Sequence, residues 1–202
     1  MQGTSSMIVS VSRWKGKASF FLLIGAFSLG LLYGVLLLRQ NGQVLEQLRL
    51  LTGQLSEGET LLQCFFTSCA SALFFLFMPY LFGYSTIGQP LAVLVPFFKG
   101  LGLGAFLGNL YVSYGFAGMG YAILIVIPSS LVLLFALMIG CRESIRLSNM
   151  LFSNFFGKSP ASLGIETLRL YNIKFLILFG LAIVSAAVSA ISMLLFSRLF
   201  QF

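Results

Sequence analysis

The sequence predicts an all-α fold, a polytopic membrane helix bundle with about five transmembrane helices and one or two interfacial amphipathic helices. The 202-residue chain is 58% hydrophobic and 8% charged, with a mean hydropathy of +1.00, whereas about a quarter of the residues in an average globular domain are charged. Its apolar residues fall into runs of about 20, the length that crosses a hydrocarbon core as a helix. We therefore expect residues 1–202 to form a single transmembrane domain.

Five segments are long and apolar enough to be spans. The first follows Arg13, Lys15 and Lys17 and is too long for a cleavable signal peptide, so it suits a retained anchor. Pro96 and Pro128 interrupt the third and fourth segments, which could therefore consist of half-helices of the kind that transporters use. The predicted spans are residues 18–38, 61–82, 91–113, 121–140 and 173–197.

The two longest connections carry apolar residues at helical spacing and are predicted to be amphipathic helices on the membrane surface. Residues 39–60 connect the first two spans, and residues 142–172 connect the last two. Either segment could instead be a surface on which a partner docks. The apolar positions are Val44, Leu45, Leu48, Leu51 and Leu55 in the first connection, and Ile145, Met150, Phe152, Phe155 and Phe156 in the second.

The distribution of cations predicts the orientation in the cell membrane. With a cytoplasmic N-terminus, eight lysine and arginine residues lie in cytoplasmic segments and three lie outside, as the positive-inside rule requires. Five spans place the termini on opposite sides, so we expect the C-terminus outside. The net charge of +7 then follows from membrane topology and does not indicate binding to nucleic acid.

The composition argues against most catalytic sites. Histidine and aspartate are absent, and the five glutamates lie outside the predicted spans, which removes most proton relays, histidine metal sites and Ser-His-Asp triads. The three cysteines lie in or beside spans and are interpreted as small core residues. A serine–lysine pair with Lys99 is a distant alternative, since Ser113 and Ser129 have no suggestive spacing from it. We expect no enzyme activity, cofactor or metal.

Small residues recur at every fourth position in three of the spans. This spacing puts them on one helix face, where a second backbone can approach closely. We interpret these faces as seams within the bundle, with contacts in a homo-oligomer or with a partner as the alternative. The residues are Ala26, Gly30 and Gly34 in the first span, Gly100, Gly104 and Gly108 in the third, and Ala182, Ala186 and Ala190 in the fifth.

Polar groups inside the third and fourth spans need an explanation, because charge in hydrocarbon is costly. Lys99 could snorkel to the cytoplasmic interface or donate to a carbonyl that Pro96 frees, and a role in binding or transport is the alternative. Pro128 precedes Ser129 and Ser130. This triplet is interpreted as a kink whose freed carbonyl a serine satisfies, or as a polar break in the span.

The third and fourth spans contain a characteristic series of residues. In order they are Gly88-Gln89-Pro90, Phe97-Phe98-Lys99-Gly100, Gly104, Gly108, a short glycine-rich loop at 115–120 and Pro128. This series resembles the stage II sporulation protein M family. The first span and residues 53–58 also resemble that family, so the resemblance covers most of the chain. The family often has Gln and Asn directly after the proline of the fourth span, where this chain has Ser129 and Ser130.

The resemblance implies a non-enzymatic integral membrane protein of endospore-forming bacteria that acts when the mother cell engulfs the forespore. Such proteins are membrane scaffolds that localise two peptidoglycan-degrading partners, stage II sporulation proteins D and P, and these partners hold the catalysis. Expected partners are therefore membrane lipid and other membrane-anchored proteins. The alternative is a permease subunit that works with a cytoplasmic ATPase, in which Lys99 attracts an anion and residues 142–172 dock the ATPase.

Overall fold

The computed structural model describes residues 3–37, 61–86, 88–155 and 165–196. This part of the chain is helical apart from one short turn and contains no strand, which confirms the predicted all-α bundle. A π-helical segment, Ala122–Val126, joins the third helix to the fourth. The helices are α1 (Gly3–Leu37), α2 (Leu61–Gly83), α3 (Gly88–Tyr121), α4 (Ile127–Phe155) and α5 (Ile165–Phe196).

Each of the five helices is long and apolar enough to cross a membrane, so the chain is a multi-pass membrane protein. A helix satisfies its backbone polar groups within its own segment, and hydrocarbon offers those groups no other partner. The candidate spans agree in number and order with the five that the sequence predicts. They are Ser19–Leu36, Phe65–Gly83, Gly88–Phe116, Gly118–Asn154 and Glu166–Ser192.

The fourth and fifth helices are longer than the sequence predicts. Residues 142–155 continue α4, and residues 165–172 form the start of α5, so no separate surface helix occupies the described parts of 142–172. At 29 residues, α4 is about 44 Å long, more than the roughly 30 Å of a hydrocarbon core. Its extension is held by protein contacts, because Leu147 is buried in a cluster formed with α2 and α5. The predicted helix in 39–60 lies outside the described residues.

The third helix, α3, is the most buried span and packs on α1, α2 and α4, while α1 lies at the edge of the bundle. Within the candidate spans, 61% of the α3 residues are buried but only 17% of those in α1. α1 packs mainly on α3, whereas α2, α4 and α5 pack on one another. Leu76, Ala136 and Phe175 form the centre of the second group. The helix with the most distinctive sequence is therefore also the most enclosed.

The third and fourth spans are connected by a bend at Gly115. The glycine-rich loop predicted at 115–120 is otherwise helical. Gly115 has a φ of 57°, a backbone conformation that glycine adopts without steric cost. A Cβ at Gly115 would meet no atom within 4 Å, so the requirement for glycine here is torsional. Gly118 is needed for space, because its Cβ would collide with the carbonyl oxygen of Leu110.

Candidate functional site

The glycines that the sequence singles out in the first and third spans meet each other in the structure. A Cβ on Gly30 would collide with the carbonyl oxygen of Phe97, and one on Gly34 would collide with that of Leu101. The two α1 glycines thus lie directly against the backbone of α3. Such close approach is what small residues at four-residue spacing permit in membrane helices.

Two glycines of α3 lie equally close to the backbone of α1. A Cβ on Gly100 would collide with the carbonyl oxygen of Phe27, and one on Gly104 with that of Leu31. Gly30, Gly34, Gly100 and Gly104 therefore form one backbone-to-backbone contact within a single chain, which we call the glycine seam. Gly108 is half-buried one turn further along α3.

The small residues of the fifth span lie between α5 and its neighbours. Ala182 and Ala186 are buried, and Ala190 is half-buried. One turn from Ala182, the Ser185 hydroxyl donates a hydrogen bond of 2.7 Å to the backbone carbonyl of Ser129 on α4. This bond ties α5 to the first turn of α4, next to Pro128.

Lys99 lies inside the bundle and not at its surface. Its side chain is 7% exposed, and its Nζ lies 4.8 Å from the centroid of the Phe75 ring on α2. A cation over an aromatic face is attracted by the ring quadrupole, more strongly where water is excluded. The ammonium therefore contributes to the contact between α2 and α3. The Lys99 side chain does not snorkel to the cytoplasmic interface, which was one of the predicted alternatives.

The two prolines do not produce a matched pair of half-helices. α3 continues through Pro96, which is fully buried. Pro128 follows the π-helical segment, in which the Ile127 N–H donates to the carbonyl of Ala122, five residues earlier. The Ser129 hydroxyl donates to the Val126 carbonyl at 3.1 Å. The carbonyl that Pro128 frees lies about four residues before the proline, so this bond is not the predicted one.

Gly88 and Pro90 shape the start of α3. The Gly88 N–H donates to the Ser85 carbonyl at 3.1 Å, and a Cβ on Gly88 would collide with the carbonyl oxygen of Phe82. Glycine is thus required where α3 begins beside the end of α2. Pro90 lies in the first turn of α3, where a missing N–H leaves no helical hydrogen bond unmade.

The last carbonyls of α2 are capped by hydrogen bonds that the sequence did not predict. The last carbonyls of a helix have no partner within it. Here the Tyr171 hydroxyl on α5 donates to the Tyr80 carbonyl at 2.9 Å. The N–H groups of Tyr84 and Ser85 donate to the carbonyls of residues 81 and 82. A Cβ on Gly83 would collide with the Tyr171 hydroxyl, so this glycine makes room for the bond.

Side chains of three helices complete this arrangement. The rings of Tyr80 and Tyr171 are stacked, with centroids 5.8 Å apart. The Tyr84 hydroxyl donates to Asn172 Oδ1 at 2.6 Å, and the Ser148 hydroxyl on α4 donates to the Ser85 carbonyl at 2.8 Å. We call these five residues, Tyr80, Tyr84, Ser148, Tyr171 and Asn172, the tyrosine cap.

The tyrosine cap perturbs the ionisation of Tyr84, which lies between two spans. Burial and the neighbouring Tyr80 raise the pKa of Tyr84 to about 12, while the bond to Asn172 acts in the opposite direction. A tyrosine hydroxyl is protonated at neutral pH in any case, and the raised pKa keeps that of Tyr84 a donor further into the alkaline range. A signal for the cap is present in the sequence, since tyrosines are enriched where helices leave a membrane, and Tyr80 and Tyr84 are four residues apart at the end of a span.

Among the described residues, no group of three His, Cys, Asp or Glu side chains is placed to hold a metal ion. The glycine seam and the hydrogen bonds of the tyrosine cap join helices to one another. Comparison of the chain with family models, curated proteins and solved structures gave no match.

Proposed function

We propose that this chain is a non-enzymatic membrane scaffold that localises peptidoglycan-degrading proteins, as in engulfment of the forespore. The sequence resemblance to the stage II sporulation protein M family suggests the role, with stage II sporulation proteins D and P as partners. The structural observation that supports it most is the fixed position of α3. The glycine seam holds one side of this helix against the α1 backbone, and Lys99 packs on Phe75 from α2.

A rigid bundle of this kind suits a protein that positions others. Docking partners on preformed surfaces avoids the cost of ordering mobile segments on binding. Large apolar side chains are exposed around the bend at Gly115, including Phe116, which is 87% exposed. With the N-terminus inside, as the cations predict, this bend lies on the outer side of the membrane, where peptidoglycan and its hydrolases are found.

Photo-crosslinking from this bend tests the proposal. A photoreactive amino acid replaces Phe116, and adducts formed in native membranes are identified by mass spectrometry. The matched control carries the same amino acid at Leu110, which is buried on the same helix. We expect adducts with membrane-anchored wall hydrolases from position 116 and none from position 110. Adducts with lipid alone, or the same proteins from both positions, would contradict the scaffold.

The permease alternative retains one supporting observation. The extensions of α4 and α5 carry Arg142, Arg146 and Arg169 as exposed cations, and a cytoplasmic ATPase could dock there. The continuous course of α3 through Pro96 counts against it, because midplane substrate sites in transporters commonly use broken helices.

The Lys99→Met substitution distinguishes the scaffold from the permease. Methionine keeps most of the side-chain length and removes the charge. The lost attraction to the Phe75 ring is offset because an ammonium no longer has to be buried away from water. For a scaffold we expect unchanged thermal stability in detergent and unchanged co-purification of wall hydrolases. A variant that folds normally but loses uptake or efflux of an anion in reconstituted vesicles would favour the permease.

A further inference from the structure

A small open groove lies between α4 and α5 at the end of the bundle that carries the tyrosine cap. Tyr171 belongs to both features, so the groove lies at the level where the spans end and the α2–α3 turn begins. That level corresponds to the headgroup region of a bilayer. The lining residues are Glu143, Arg146, Leu147, Met150, Thr167, Leu170, Tyr171 and Lys174.

Cations dominate the charged part of this groove. Lys174 Nζ and Glu143 Oε2 form an ion pair at 2.8 Å, which neutralises one cation and holds its side chain in place. Arg146 is exposed, and no carboxylate among the described residues pairs with it. Thr167 adds a hydroxyl beside these groups. The groove is therefore lined by a guanidinium, an ammonium and a hydroxyl donor.

The remaining wall of the groove is apolar and faces outward. Leu170 is 60% exposed, and Met150 is half-buried on the opposite helix. A soluble anion would gain nothing from these side chains, whereas the glycerol and upper acyl carbons of a lipid would cover them. Basic pockets between transmembrane helices at the headgroup level are known to bind anionic lipids.

We propose that the α4–α5 groove binds the phosphate headgroup of an anionic phospholipid. Arg146 and Lys174 donate to the phosphate oxygens, and guanidinium is well suited to bidentate contact with phosphate. Thr167 donates a further hydrogen bond. Glu143 orients Lys174 and weakens binding by its own negative charge, so removing that charge raises the affinity.

The test is a titration of the purified full chain in neutral detergent with phosphatidylglycerol, followed by native mass spectrometry of the lipid adducts. Arg146→Gln is expected to weaken binding about fivefold, because a cation near an anionic headgroup contributes about that factor. Glu143→Gln is expected to strengthen binding, an effect opposite to that of general damage to the fold. The matched control is Arg142→Gln, the same charge change on the same helix at a residue that does not line the groove, and it retains the wild-type affinity.

Three results would overturn the proposal. Equal losses in Arg146→Gln and Arg142→Gln would mean that diffuse positive charge attracts the lipid. Equal binding of phosphatidylcholine would remove the requirement for an anionic headgroup. Displacement of the lipid by inorganic phosphate at matched concentration would identify a site for a soluble anion.

Discussion

Gly34→Leu is expected to separate α1 from α3 and to destabilise the whole bundle. A side chain at this position would enter the backbone of α3 at Leu101, and a backbone cannot move aside as a side chain can. Overpacking a core typically costs about 1–3 kcal/mol, and we expect the loss here to reach at least the upper end of that range. The free energy of unfolding in mixed detergent measures it, with Gly104→Leu as the reciprocal variant.

Gly25→Leu is the matched control for the glycine seam. It lies on the same helix, and no atom lies within 4 Å of the Cβ that it would carry, so the added side chain faces lipid. We expect a change close to zero for this variant. Equal destabilisation by Gly25→Leu and Gly34→Leu would show that α1 and α3 do not meet as described.

A seam variant would also affect function indirectly. The four seam glycines are covered within one chain, so a partner helix cannot use the same face while the bundle is intact. We therefore expect any loss of partner localisation in Gly104→Leu to accompany a loss of bundle stability. Loss of localisation at normal stability would indicate that the glycines contact a partner.

Tyr171→Ala is the second substitution with a large expected effect. The Tyr171 side chain is 4% exposed, its ring stacks on Tyr80, and its hydroxyl caps α2. Truncating a buried aromatic residue costs about 3–5 kcal/mol, and an unsatisfied carbonyl adds to this. Tyr171→Phe keeps the ring and should cost about 1 kcal/mol, the net value of a typical hydrogen bond. The free energy of unfolding in mixed detergent, measured for both variants, distinguishes the loss of the ring from the loss of the hydroxyl.

A double-mutant cycle tests whether the hydroxyl and Gly83 are in contact. Gly83→Ala places a Cβ against the Tyr171 hydroxyl, so the substitution should be less harmful when residue 171 is phenylalanine. Neighbouring residues commonly show coupling of about 0.5–3 kcal/mol. Equal effects of Gly83→Ala in both backgrounds would mean that the tyrosine cap does not have the described geometry.

Much of the fold could be predicted because the relevant signals are local. The length of each apolar run defines a span, and the spacing of Gly30, Gly34, Gly100 and Gly104 defines two small-residue faces. The sequence could not predict whether Pro96 and Pro128 break their helices. Pro96 stays within a helix, and Pro128 follows a π-helical segment, because neighbouring helices determine whether a backbone break can be accommodated.

The tyrosine cap and the interior position of Lys99 depend on the same long-range contacts. Tyr171 reaches the end of α2 across 91 residues of sequence, and Lys99 meets a ring on a different helix. The spacing of Tyr80 and Tyr84 marks one side of the cap, but no spacing along the chain identifies Tyr171 as their partner or Phe75 as the partner of Lys99. The sequence by itself determined five membrane-spanning helices, since each segment in hydrocarbon must satisfy its own backbone. Only the tertiary structure decided which helices pair, because pairing depends on the shapes of faces that lie far apart in the chain.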